Sequence, residues 1–309
     1  MPSPPPTSTY MPTPVTPKPS AEPTLSPTAL DSVLFYTAGD SANGTTLLSF
    51  NPNHEVATGV AARLAADAGS SHVYDGVAFG VVNGEKKVFF TNEKEGTVSS
   101  MNFDGTNRTV VISGLSSPKA ISIALGSSWF FVTGTKKNGI TRVTLDGSNA
   151  KVLVDHVPGI TGVVAADTEV YFCSEATNTL YGMGSNGDHF YEVKKGLKSP
   201  QAVTYLPGEV QRPWSKVDEI EGFKAGVLYV LGRHELTRFS THGRSAETLV
   251  TGIGSGYALS LDIPNGVVYW SDYNGTGIFG ATLEVSFIFR LFSFYAGCVC
   301  VRTVARKIT

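Results

Sequence analysis

Short hydrophobic segments rich in aromatic and β-branched residues recur along the chain at a nearly constant spacing. They read VFFTN at 88–92, FFVTG at 130–134, VYFCS at 170–174, LYVLG at 228–232 and VYWSD at 268–272. Polar-glycine turns follow the first four, at Asp104-Gly105, Asp146-Gly147, Asn186-Gly187 and His242-Gly243, and the first three turns lie 42 and 40 residues apart. A period near 40 built from short strands and tight turns is typical of a β-sheet that is repeated around an axis.

A second, less aromatic segment precedes most of these strands. The copies are KAISIA at 119–124, GITGVVAA at 159–166, QAVTYL at 201–206 and YALSLDI at 257–263. Small apolar side chains suit the crowded strands around the axis of such a ring. We therefore predict that each unit comprises an inner strand, an aromatic second strand, a third strand, a glycine turn and an outer strand.

The segment Tyr269-Trp270-Ser271-Asp272 differs by one conservative change from the YWTD signature of the low-density-lipoprotein-receptor class B repeats, which the chain resembles over about residues 33–284. Leu145-Asp146-Gly147 matches the LDG turn of those repeats. The resemblance implies a divergent propeller of six repeats. The other copies replace the signature Asp by Asn92, Gly134, Ser174 and Gly232.

Six aromatic strands can be counted, if VLFYT at 33–37 is included. We therefore predict an all-β, six-bladed β-propeller over residues 31–284, with an irregular last blade. The last blade is expected to be irregular because Val285 follows Glu284 at the position where the repeat requires a turn glycine. The first aromatic strand has no inner strand before it, and closure of the ring requires the C-terminal end to supply one, since open edges promote aggregation.

Two terminal segments depart from the repeat. Residues 1–30 are rich in Pro, Ser and Thr and predict a disordered stalk. Residues 285–309 have three interpretations: a gene-model artefact, closing strands of the ring, or a membrane anchor. The anchor is the least favoured, because the apolar stretch is short and contains Arg290.

The overall charge and the sequons bear on location and partners. The formal net charge is −2 without a basic block, so a nucleic-acid partner is not expected. Asn-X-Thr sequons at Asn43, Asn107 and Asn274 lie in predicted turns and favour a glycosylated, extracellular or cell-surface protein. No signal peptide follows Met1, and we interpret the N-terminus as incomplete.

The sequence shows no convincing catalytic constellation. The six histidines lack metal-ligand spacing, and Cys173 occupies a strand position that predicts a small buried thiol. Propeller hydrolases of the lactonase type hold Ca²⁺ in the central channel, and Ca²⁺ takes six to eight oxygen ligands. At the starts of the inner strands only Asp75 is a carboxylate, and the equivalent positions are Lys119, Thr161, Gln201 and Tyr257. We predict no enzyme activity, cofactor or metal, with a Ca²⁺-dependent hydrolase as the alternative.

The function predicted from the resemblance is a non-catalytic module that binds a protein ligand. The face carrying the second-to-third and outer-to-inner connections is the expected binding face. Its candidate residues are Glu93, Lys94, Lys136, Lys137, His156, Glu175, Arg233, His234 and Tyr273. A second candidate is Trp214, on the long insertion at 207–225, which is either an interaction anchor or packed on a blade edge.

Overall fold

The fold is described from a computed structural model. The described residues are 13–14, 32–40, 44–50, 62–66, 74–123, 126–134, 139–166, 168–208, 226–272, 277–283, 288–293 and 301–305. Side chains are described within these ranges between residues 75 and 288. Every regular element in the described ranges is a β-strand.

Five blades are each formed by four consecutive antiparallel strands. Four strands precede them: β1 (Thr13–Pro14), β2 (Ser32–Asp40), β3 (Gly44–Phe50) and β4 (Ala62–Ala66). Blade I comprises β5 (Tyr74–Val82), β6 (Glu85–Asn92), β7 (Thr97–Asn102) and β8 (Thr109–Ile112). Blade II comprises β9 (Pro118–Ile123), β10 (Trp129–Gly134), β11 (Gly139–Thr144) and β12 (Ala150–Val154). Blade III comprises β13 (Ile160–Ala166), β14 (Glu169–Ser174), β15 (Thr179–Gly184) and β16 (Tyr191–Lys195).

The last two blades repeat this arrangement. Blade IV comprises β17 (Pro200–Leu206), β18 (Val227–Gly232), β19 (Glu235–Ser240) and β20 (Glu247–Thr251), with β1 paired to β20 at its outer edge. Blade V comprises β21 (Gly256–Asp262), β22 (Val267–Asp272), β23 (Gly277–Thr282) and β24 (Ile288–Ser293). The aromatic segments are the second strands, and the small-residue segments are the inner strands, as the sequence predicts.

The sequence-based prediction of six blades with an irregular last blade is wrong, because the structure describes five blades, each a packed meander of four consecutive strands. Blade V is regular: β24 supplies the fourth strand and pairs with β23 from Ile288 to Ser293. A further four-stranded sheet has the order β25-β2-β3-β4, where β25 is Val301–Ala305. It combines both ends of the chain, and its side chains lie outside the described set. The repeat period did not predict β24, because no glycine turn precedes this strand. A segment whose successive side chains point to opposite faces of the sheet can pair with a free edge without such a turn.

The hydrophobic core lies between neighbouring blades. The second strands are buried on both faces, and Phe89, Phe130, Phe172 and Trp270 are fully buried. Phe89 of blade I packs against Phe130 of blade II, with ring centroids 5.9 Å apart. Hydrophobic side chains pack in the same way between blades II and III, between III and IV, and between IV and V. Aromatic side chains are favoured here because each must fill the space between two twisted sheets.

The glycine turns of blades II, III and IV lie against the preceding blade. Gly105, Gly147, Gly187 and Gly243 all adopt positive φ, as tight hairpins require. A Cβ at Gly147 would lie 2.0 Å from the carbonyl oxygen of Val111, and a Cβ at Gly243 would lie 2.0 Å from that of Val193. Glycine is therefore required at these two turns for close approach as well as for backbone conformation.

Among the residues that the structure describes, no helix has the length and apolar character needed to span a bilayer.

Candidate functional site

The main cavity of the described structure lies where the inner strands converge. Its volume is about 580 Å³. Inner strands β5, β9, β13, β17 and β21 all contribute to its wall, and the β14–β15 and β18–β19 turns add Glu175, Ala176 and Arg233. The cavity therefore opens at the end of the blades that carries the second-to-third and outer-to-inner connections. We call this end the channel-mouth face.

A β-bulge or register irregularity lies at the start of each inner strand. In β5, for example, the pairing with β6 shifts between Tyr74 and Val77, and in β13 it shifts between Ile160 and Gly162. The residues at these irregularities line the cavity: Asp75, Lys119, Thr161, Gln201 and Tyr257. A bulge redirects a side chain that the regular pleat would otherwise direct against a neighbouring sheet. Each blade thus contributes one polar side chain to a ring, which we call the bulge ring.

Hydroxyl groups of the second strands satisfy the backbone at these irregularities. Thr91 Oγ1 accepts a hydrogen bond from the Gly76 N–H at 2.7 Å and donates one to the Lys119 carbonyl at 2.8 Å. Thr133 and Ser271 accept the equivalent N–H bonds, from Ala120 and Ala258, each at 3.0 Å. The hydroxyl at this position therefore maintains the geometry of the bulge ring.

Blade III achieves the same connection differently. Cys173 occupies the hydroxyl position and is fully buried, and burial raises the pKa of its thiol to about 11. Thr161 of the bulge ring instead donates to the Pro200 carbonyl of blade IV at 2.8 Å. The prediction of a buried thiol at Cys173 is confirmed.

Asp75 is the most unusual group in the ring. It is only 4% exposed, and its Oδ1 accepts a hydrogen bond from the Tyr257 hydroxyl at 3.1 Å. Its Oδ2 is buried and has no hydrogen-bond partner among the described residues. Burial raises the pKa of Asp75 to about 6; Lys119 opposes this shift through its positive charge, while the neighbouring carboxylate of Glu93 reinforces it. The bond to Tyr257 joins blades I and V across the channel mouth.

A salt bridge lies on another side of the cavity. Arg233 Nη2 is 2.8 Å from Glu175 Oε1, and Arg233 Nε donates to the same oxygen at 2.9 Å. The Arg233 side chain is 50% exposed, so this pair is accessible from solvent. The pair links the β14–β15 turn of blade III to the β18–β19 turn of blade IV.

The structure places six of the ten predicted binding residues. Glu175 and Arg233 line the cavity, and Glu93 stands beside Asp75. Lys94 is exposed in the β6–β7 turn. His156 contacts Asp155 and the ring of Phe190, and His234 Nδ1 bonds the Ile253 carbonyl at 2.9 Å. Neither histidine is among the residues that line the cavity. The remaining four lie outside the described residues: Lys136, Lys137, Trp214 and Tyr273.

The predicted binding set omits the bulge ring. Its five residues occupy equivalent positions at the start of the inner-strand segments, and they differ from one blade to the next. A polar position that varies within an otherwise apolar repeat is the signal that could have assigned them to the site. Periodicity alone does not show that a bulge directs these side chains into the channel.

The residue at the signature Asp position lies at the end of each second strand. It contacts the outer-to-inner connection that leads into the same blade. The Asp272 carboxylate accepts hydrogen bonds from Gly254 N–H at 2.8 Å and Ser255 N–H at 2.7 Å. Ser174 Oγ instead donates to the Pro158 carbonyl at 2.5 Å. At Gly134 and Gly232 the incoming backbone is so close that a Cβ would lie 2.9 Å and 2.7 Å from a carbonyl oxygen. The join is therefore made by different chemistry in these blades.

Metal-binding chemistry is sparse in the described part of the molecule. No three His, Cys, Asp or Glu side chains come together there in a way that could hold a metal ion. In the bulge ring Asp75 is the one carboxylate, and the other four residues supply at most hydroxyl and amide oxygens. This donor set is poor for Ca²⁺, which takes six to eight oxygens.

Comparison with solved structures identifies the class as a β-propeller. The chain is similar to a chain of the nidogen/laminin complex, with a TM-score of 0.67 and 15% identity over 87% of this chain and 98% of that chain. It is also similar to a streptogramin B lyase, with a TM-score of 0.52 and 15% identity over 72% of this chain and 68% of that one. No family model and no curated protein matches the sequence. At this identity the likeness shows the fold alone, and no family model confirms the YWTD repeat.

Proposed function

We propose that this protein is a non-catalytic binding module, extracellular or at the cell surface, that presents its channel-mouth face to a protein partner. The observation that carries the proposal is the convergence of polar side chains from five blades around one open cavity. Asp75, Glu175 and Arg233 provide charge at its rim, while the inner strands provide apolar walls. Concave sites with apolar walls and a few convergent polar groups are the usual form of sites for small ligands, and the same form can receive a side chain of a protein partner.

The resemblance to class B repeats and the likeness to a chain of the nidogen/laminin complex support a protein as the partner. A lyase has a similar fold as well, so fold likeness alone does not separate a binding module from an enzyme. The composition of the bulge ring favours binding, because it offers one carboxylate where a hydrolase that binds Ca²⁺ in its channel needs several oxygen ligands.

The position of one sequon supports an extracellular location. Asn107 is exposed in the β7–β8 turn, at the end of blade I opposite the channel-mouth face. A glycan there would leave the channel mouth accessible. The other two sequon residues, Asn43 and Asn274, lie outside the described residues.

Charge reversal at the rim tests the proposal. We expect Arg233→Glu to reduce retention of the partner by at least about tenfold, because it places two acidic groups where a salt bridge now stands. The measurement is quantitative mass spectrometry of extracellular proteins retained by immobilised wild-type and variant protein. The matched control is Arg244→Glu, which changes an exposed arginine of the same blade at the opposite face.

A charge swap separates binding from folding. The double variant Glu175→Arg with Arg233→Glu retains a salt bridge and should fold normally, yet it inverts the pattern that the partner meets. Loss of the same partner in both rim variants but not in the control supports the proposal. Equal retention by all variants would exclude this rim as the binding surface.

A further inference from the structure

On the acidic side of the channel mouth, the described residues supply too few hydrogen-bond donors and too little positive charge to compensate the carboxylates. Asp75 is buried, lines the cavity and has an oxygen without a hydrogen-bond partner among the described residues. Glu93, in the turn after β6, stands close enough for both its charge and a hydrogen bond between the two carboxyl groups to raise the pKa of Asp75. Two neighbouring carboxylates repel each other, and burial adds a desolvation cost for the charged form. The structure therefore contains an acceptor site that favours a positive charge.

The cations already present do not saturate this site. Lys119 acts on Asp75 through its charge, but it forms no ion pair with a carboxylate among the described residues. Arg233 is engaged by Glu175 on another side of the cavity. When both carboxyl groups are ionised, the two negative charges of Asp75 and Glu93 exceed the single positive charge of Lys119 by one. A single monovalent cation neutralises this excess.

We propose that Asp75 and Glu93 form a subsite that binds the cationic head of a basic side chain, a lysine ammonium or an arginine guanidinium, inserted from the partner into the channel mouth. This proposal rests on the proposed function and specifies the chemistry of the partner. The Asp75 and Glu93 carboxylates together accept the N–H donors of the inserted head, and charge-assisted bonds of this kind are the stronger ones.

The cavity suits such a side chain along its length. Val77, Ala120 and Ala258 line the wall beside the polar ring. Lysine and arginine place their methylene stems along apolar surfaces while the charged head reaches a polar group. A bare divalent ion would lack the additional oxygen ligands that it requires.

The test uses small probes and the intact chain. Nα-acetyl-lysine methylamide and its arginine analogue are titrated against ¹⁵N-labelled protein, with Nα-acetyl-norleucine methylamide as the uncharged control. We expect saturable shifts of the Gly76 and Glu93 amide signals with the cationic probes and none with norleucine. Asp75→Asn and Glu93→Gln should each weaken cationic-probe binding by about tenfold or more, whereas Glu85→Gln, an exposed change on the opposite face of the same blade, should leave it unchanged.

The pH dependence provides a second readout. The groups facing Asp75 are Glu93, Lys119 and Tyr257, and with them the pKa of Asp75 is raised to about 6. Affinity for the cationic probes should therefore fall as the pH is lowered through 6, because protonation removes the charge that attracts them. In Asp75→Asn this pH dependence should be lost.

Several results would overturn the proposal. These are equal shifts with lysine and norleucine probes, unchanged affinity in both Asp75→Asn and Glu93→Gln, or saturation by CaCl₂ with no response to either cationic probe. Circular dichroism melting of each variant establishes that it is folded, and Glu93→Gln remains informative if Asp75→Asn is not. If the partner is retained in an Arg233-dependent way but no cationic probe binds, the subsite proposal is wrong and the proposed function stands. Probe binding with partner retention insensitive to rim variants would instead defeat the proposed function.

Discussion

At the scale of single residues, the buried polar side chains serve the backbone of neighbouring segments. Thr91, Thr133 and Ser271 satisfy N–H groups that the inner-strand bulges release. Asp272, 2% exposed, satisfies two N–H groups of the connection between blades IV and V. Buried backbone groups without partners are costly, so these side chains are structural requirements of the ring. Asp75 is different, because it lines the cavity and its buried Oδ2 has no hydrogen-bond partner among the described residues.

The substitution Asp272→Ala should therefore destabilise the protein by roughly 2–4 kcal/mol, because it removes the carboxylate that accepts from two partly buried N–H groups. Chemical denaturation, monitored by the midpoint and slope of the transition, measures this. The control is Asp104→Ala, which removes an exposed carboxylate that accepts the Thr106 N–H within its own turn. A loss for Asp272→Ala no larger than for the control would show that the join between blades does not depend on this carboxylate.

At the scale of elements, the turn between the third and outer strands acts as a spacer between blades. Gly147 has φ of 76°, and its α-carbon lies against the Val111 carbonyl of blade I. Gly114 has a similar φ of 79°, yet a Cβ there would meet nothing within 4 Å. Gly114 is therefore needed only for its positive φ, whereas Gly147 is needed for positive φ and for the close approach of blade I.

Replacement of each by alanine should show that difference. Gly114→Ala should cost about 1 kcal/mol from backbone strain alone. Gly147→Ala adds an overlap with backbone that cannot move without separating the blades, so it should cost about 1–3 kcal/mol more. Thermal and denaturant unfolding of the two variants provide the comparison. Equal losses would mean that blades I and II separate freely at this turn.

At the scale of the whole molecule, the two chain ends meet in one sheet. Strand β25 pairs with β2 from Val301 to Ala305 and lies beside the inner strands of blades I and V. Strand β24 completes blade V. Segments from the last part of the chain thus cover an edge of β23 and an edge of β2. Unpaired edges would otherwise be available for aggregation.

Deletion of residues 288–309 should lower the melting temperature, broaden the transition and promote aggregation, because it exposes an edge of β23 and an edge of β2. Thermal unfolding by circular dichroism, together with light scattering, measures these effects. Deletion of residues 1–12 is the control and should change neither property. If the C-terminal deletion left stability and solubility unchanged, the segment 285–309 would not serve as closing strands.

Much of the blade pattern could be predicted from the sequence. The aromatic runs identify the second strands because a strand buried on both faces requires apolar residues throughout, and turn glycines such as Gly105 identify hairpins that need positive φ. Which connections lie together at one end of the blades could also be predicted, because antiparallel order places all connections of one kind at the same end. The use of that end for binding remains a prediction. Trp214, Lys136, Lys137 and Tyr273 remain predictions.

The sequence by itself determined the repeat unit, since strand periodicity and turn chemistry are local properties. The sequence also predicted that the C-terminal end supplies the strand beside the first aromatic strand, and β25 does pair with β2. The tertiary structure alone decided which segments complete the sheets and which polar residues line the cavity. β24 and β25 have no repeat signature, and their pairing depends on which edges remain free after the five blades form. The bulge that directs Asp75 toward Tyr257, 182 residues away in sequence, depends on register and on hydrogen bonds between blades. Such long-range contacts have no local signal, because they arise from the closure of the ring.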